Sequence, residues 1–87
     1  MSVLIHEPVS VMAVFEKGRV RPILFRWKDK KISIESVSFM WQTTQGKEHF
    51  LHFTVIASQT LYELLFNISS MTWKLEQTEA GIGISTI

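Results

Sequence analysis

The stretch Val20 to Trp41, VRPILFRWKDKKISIESVSFMW, constrains the fold more than any other part of the chain. In an extended backbone, Arg19, Arg21, Ile23, Phe25 and Trp27 share one face, and Val20, Pro22, Leu24 and Arg26 share the other. The polar break Lys28-Asp29-Lys30-Lys31 is long enough for a tight turn, and Asp29 suits it because its carboxylate can bond nearby backbone. The stretch therefore reads as a hairpin. On the return strand the apolar positions are Ile32 and Ile34, then Val37, Phe39 and Trp41, so they change from even to odd numbers near Glu35 and Ser36. One extra residue produces such a slip, because the side-chain period of a strand is two. The pattern predicts a bulge or sharp bend at Glu35 or Ser36, burial of both Ile34 and Val37, and one inward face from Ile32 to Trp41.

The rest of the chain supplies partners for this hairpin. Val9, Val11, Ala13 and Phe15 alternate with Met12 and Val14 ahead of a turn at Glu16 to Arg19, where Gly18 takes the positive φ. Pro8, following Val3-Leu4-Ile5, marks entry into the sheet at an edge. The polar run Gln42 to Lys47 reads as a mobile connection. Phe50 to Ala57 is apolar on both faces and reads as central, and Ser58-Gln59 turns the chain. Thr60 to Ile68 fits a two-turn helix, with Thr60 and Glu63 as a capping box, or a strand with Tyr62, Leu64 and Phe66 on one face. So short a helix is weak without packing, which favours the strand. Met71, Trp73 and Leu75 close a last hairpin, and the segment after Glu76 reads as a loose tail or an edge strand through Ile82 and Ile84. The expected fold is all-β: a single domain spanning 1–87, with its core at about 7–77 and six antiparallel strands in a meander curled into a small SH3-like barrel.

A chain of 87 residues without cysteine leaves no disulfide or cysteine-ligated metal to consider. The start MSVLIHEPVSVMAVF lacks the basic region of a signal peptide, and no apolar run approaches the roughly 18 residues of a membrane span. A cytoplasmic protein without membrane contact is expected. His49 and His52 point to opposite faces of a strand and cannot share an ion there, with or without His6, and half-buried sheet histidines are the plainer reading. Glu35, Glu48 and Glu63 form no evident acid and base pair, and Gly81-x-Gly83 lacks the frame of a phosphate loop. No catalytic residue, metal or cofactor is therefore assigned.

Charge is the exception to this bland picture. Of nine lysines and arginines, seven fall between Lys17 and Lys31: Lys17, Arg19, Arg21, Arg26, Lys28, Lys30 and Lys31. Phosphate binding needs several cations on one surface, and small barrels add exposed aromatics for bases, here Trp27. Lysine-rich edges also protect β-proteins from aggregation, and Trp27 beside Phe25 also reads as core. The aromatics Trp41, Trp73, Phe39 and Phe50 exceed what a small sheet easily hides, which points to a homodimer or a partner-covered face.

The order Glu7-Pro8-Val9, Pro22, Phe25-x-Trp27, Ile32 and Ile34, Trp41, Phe53-x-Val55, Tyr62-Glu63-Leu64 and Trp73-Lys74-Leu75 resembles a bacterial domain family of unknown function. Its members are small β modules, some associated with Y-family DNA polymerase-like mutagenesis proteins. The resemblance implies a strand over Thr60 to Phe66 and a nucleic-acid or DNA-repair context. The chain departs from that family in its longer apolar tail. Two function classes follow: a non-enzymatic module binding nucleic acid or a nucleic-acid-processing partner through the basic hairpin, and a homodimerisation or protein-interaction domain.

Overall fold

The structure, a computed structural model, describes residues 2–80. Its seven strands are β1 (Ser2–Glu16), β2 (Arg19–Trp27), β3 (Lys30–Ser33), β4 (Ser36–Gln45), β5 (Glu48–Ala57), β6 (Thr60–Asn67) and β7 (Thr72–Ala80). They form one antiparallel sheet in the order β3-β2-β1-β7-β6-β5-β4. The count is seven and not six, because the expected third strand divides at Ile34–Glu35 into β3 and β4. The tail segment carrying Ile82 and Ile84 lies outside the described residues.

The turns follow from local chemistry. Lys17-Gly18, Lys28-Asp29 and Ser58-Gln59 are two-residue loops with both φ values positive, matching the right-handed twist of the strands they join. Gly46-Lys47 is equally short, with glycine at the first, positive-φ position. The polar run Gln42 to Gln45 is consequently strand and not the mobile connection that its composition suggests. After β6, the Asn67 carboxamide accepts the N–H groups of Ser69 and Ser70 and organises the turn into β7.

β1 is the organising strand. Its first part, Ser2 to Val9, pairs with β7, and its second, Ser10 to Glu16, pairs with β2. Pro8 sits where β1 has a neighbour on one side only, so its missing N–H is tolerated mid-strand. The segment around Thr60 is a strand that pairs with both β5 and β7, and Glu63 lies beside Gln77 without any capping role.

The sheet curls until its two outer strands meet at Ile34–Glu35. The Ile34 N–H donates to the carbonyl of Ile23 on β2, and the Glu35 N–H to that of Ile56 on β5, at 2.9 and 2.8 Å. The Glu35 carboxylate accepts the Ser58 N–H at 3.0 Å and fastens the corner. Beyond this corner no ladder joins β2 to β4, which leaves a half-barrel open along one seam. Inside it Phe25, Phe53, Val55, Leu64, Phe66, Trp73 and Leu75 form the buried core.

Two bulges correct the side-chain faces inferred from alternation. In β2, Met12 pairs with Leu24 while Ala13 pairs with Pro22, so Ile23 is an extra residue. Val20, Pro22, Phe25 and Trp27 therefore turn inward, and Arg19, Arg21, Leu24 and Arg26 outward. In β4, Val37 opposes Val55 but Phe39 opposes Thr54, which makes Ser38 the extra residue. The slip expected at Glu35 or Ser36 coincides with the corner, but the second slip at Ser38 turns Phe39 and Trp41 outward and Met40 inward. Ile34 is half-buried as part of the inner packing, whereas Val37, expected to be buried, is 38% exposed because the seam is open beside it.

Candidate binding surface

The Ile23 bulge decides where the cations lie. Strict alternation separates Arg26 from Arg19 and Arg21, but the extra residue restores all three to one face, where Lys31 stands opposite Arg26. A strand rises roughly 3.3 Å per residue, so the ridge from Arg19 to Arg26 runs for about 23 Å along the outer face of β2. Lys17 extends it at the β1–β2 turn, Lys28 lies in the β2–β3 turn, and Lys30 follows that turn as the first residue of β3. All seven cations are exposed, and among the described residues no lysine or arginine forms an ion pair with a carboxylate. Glu16, opposite Arg19 on the same face, is the nearest acidic residue by register.

Trp27 is not on this ridge. It is half-buried against the core, its indole N–H donates to Glu7 Oε1 at 3.1 Å, and the Lys28 ammonium stands 4.8 Å from its ring centroid. With one side packed and the cation over its ring, it is no open platform for a base.

The seam forms a second feature, a cleft of about 970 Å³. Val37, Met40, Gln42, Leu51 and Phe53 line one side, while Lys17, Arg19, Val20 and Arg21 line the other. Arg19 and Arg21 thus belong to both the ridge and the rim of the cleft. Nothing in the composition announces this cavity, because it depends on where the corner stops the two edges from pairing.

Sequence reasoning also missed a polar row across the outer face of β4 to β7. Thr43 Oγ1 lies 2.7 Å from His52 Nε2, His52 Nδ1 lies 3.7 Å from Glu63 Oε2, and the Gln77 amide donates to Glu63 Oε1 at 2.7 Å. Trp41 stacks on the His52 ring at 4.7 Å and 10°. The order hydroxyl, imidazole, carboxylate is that of a nucleophilic triad. At 3.7 Å, however, the carboxylate does not hydrogen-bond the ring, and the indole covers one face of it. The row is a cross-strand ladder in which His52 Nδ1 is left buried without a hydrogen-bond partner. His49 instead meets Thr44, and His6 meets Glu76 at 2.9 Å, so the three histidines lie in separate settings.

Of the aromatics expected to exceed the capacity of the sheet, Trp73 is buried, Trp41 and Phe50 are half-buried, and Phe39 is 63% exposed. Compared with protein-family models, curated proteins and solved structures, the chain matches none.

Proposed function

We propose that the chain is a non-enzymatic binding module, SH3-like in general plan, that holds nucleic acid by its phosphates along the outer face of β2 and β3. One observation carries this reading: the Ile23 bulge gathers Arg19, Arg21 and Arg26 on a single face with Lys31, and none of them is neutralised within the fold. A row of unpaired cations attracts a polyanion and releases its condensed counterions. The ridge has no exposed aromatic aimed outward, so binding is to the backbone and indifferent to sequence. The polymerase and DNA-repair context implied by the resemblance fits a module that recruits or shares nucleic acid with such a partner.

Fluorescence anisotropy with a labelled single strand tests the reading. Four neutralised phosphates give a slope of log affinity against log salt of about −3. Changing Arg21, Arg26 and Lys31 together to glutamate is expected to abolish binding at low salt and leave the circular dichroism unchanged. Absence of binding by the unmodified protein at low salt overturns the proposal.

The protein-interaction class has separate support. Among the described residues the outer edge of β4 is unpaired, and Val37, Phe39 and Met40 on it are all exposed.

A further inference from the structure

Resting on the protein-interaction reading, we infer that the open seam between β2 and β4 accepts an extended strand of a partner protein, apolar on its inward face and acidic on its outward face. Three independent features converge on that occupant. The first is backbone chemistry. Val37, Met40 and Gln42 of β4 and Arg19 to Arg21 of β2 line the same cleft, and among the described residues neither strand has a ladder partner on that side. Unpaired N–H and C=O groups along an edge are a template for one more strand.

The second is the character of that edge. β-Proteins ordinarily protect a free edge with charge or proline, as β3 does here with Lys30 and Lys31. β4, SVSFMWQTTQ, carries no charged residue and no proline over its whole length. Its bulge at Ser38 is the one irregularity, and it leaves the run from Phe39 to Gln45 in regular register.

The third is complementarity. Val37, Met40 and Leu51, with Phe53 beneath, offer apolar contact to alternate side chains of the guest. On the opposite rim Lys17, Arg19 and Arg21 outnumber Glu16, the only carboxylate among the described residues lining the cleft. A strand with alternating apolar and acidic residues turns the first inward and the second outward, beside Arg19 and Arg21. The free edges of a second copy fit less well, because β3 is basic, β4 has no carboxylate, and the free length of β1 from Ser2 to Val9 holds one carboxylate, Glu7, already bonded to Trp27, beside Pro8.

Direction follows from topology. Every neighbouring pair in the sheet is antiparallel, so β2 and β4 run in opposite senses across the seam. The guest cannot be antiparallel to both. Antiparallel pairing is the stronger per residue and β4 has the longer free edge, so the guest runs antiparallel to β4 and parallel to β2.

The test uses the full ¹⁵N-labelled chain and an eight-residue capped peptide of alternating valine and glutamate. Binding is expected to shift the amides of Val37 to Gln45 together with those of Arg19 to Arg21, with cross-strand contacts in antiparallel register to β4. The same peptide N-methylated at alternate residues keeps its charge but loses one edge of donors, and is expected to bind at least tenfold more weakly. Met40→Gln, at a half-exposed position, is expected to weaken the unmethylated peptide about tenfold.

Equal binding of the methylated peptide, or shifts confined to Arg26 and Lys31, reduces the interaction to charge attraction and overturns the inference. If no peptide binds but the β4 amides shift with protein concentration, a second copy fills the seam; the assignment of the occupant then falls while the interaction reading survives. If neither happens, both fall.

Discussion

Single residues in this chain carry roles that their type does not announce. Trp27 reads equally as a stacking platform and as core, and its contacts settle the matter: packed inward, bonded to Glu7 and covered by Lys28. Trp27→Phe keeps most of the packing and loses one hydrogen bond, so it is expected to lower stability by about 1 kcal/mol. Trp27→Ala also leaves a cavity, at about 3 kcal/mol or more. Urea denaturation separates the two, and oligonucleotide affinity at a temperature where both variants are folded is expected to change little. Among the fully buried side chains, Phe25 meets Tyr62 edge-on at 5.1 Å. Phe25→Ala is expected to cost about 3 to 5 kcal/mol in the same assay.

At the scale of elements, the bulges set function as much as the strands do. An extra residue in one strand preserves the ladder on either side but exchanges the faces of everything beyond it. Deleting Ser38 therefore keeps Val37 opposite Val55 and Phe39 opposite Thr54, with each side chain on its present face. That variant is expected to fold with a loss of no more than about 2 kcal/mol. Deleting Thr54 from the regular part of β5 reverses Leu51 and Phe53 relative to Val55 and is expected to leave the chain unfolded by circular dichroism. The contrast between the two deletions tests the register. The corner depends on a carboxylate: Glu35→Ala removes the acceptor of the Ser58 N–H, and the expected loss is about 1 kcal/mol by thermal denaturation.

At the scale of the molecule, a half-barrel has a rigid wall and a soft seam. β5, β6 and β7 have a neighbour on both sides, while β4 has one. Amide hydrogen exchange is expected to be slowest in β6 and β7 and fast at alternate residues of β4, since one edge of β4 is bonded only to solvent. Uniform protection across β4 would mean that the seam closes or is occupied in solution. The ridge and the seam share Arg19 and Arg21, so a polyanion on one and a strand in the other compete for the same charges. Saturating oligonucleotide is accordingly expected to weaken the valine-glutamate peptide several-fold at low salt, and the competition is expected to vanish as salt screens it.

The all-β class, the tight turns at Gly18, Asp29 and Ser58-Gln59 and the choice of strand over helix at Thr60 were all set by alternation and local turn chemistry, which act over a few residues. The cationic stretch was equally plain, because charge can be counted along a chain. Alternation could not say which face each arginine occupies, since the Ile23 bulge exists only where β2 is bent against β1. Nor could it place Phe39 and Trp41 outside and Met40 in the seam, because Ser38 shifts register relative to β5. The break at Glu35 and Ser36 was visible as a change of phase. That it joins the two outer strands of one sheet and leaves a cleft beyond depends on hydrogen bonds from adjacent residues to Ile23 and Ile56, 33 residues apart in sequence, and only tertiary structure brings those together.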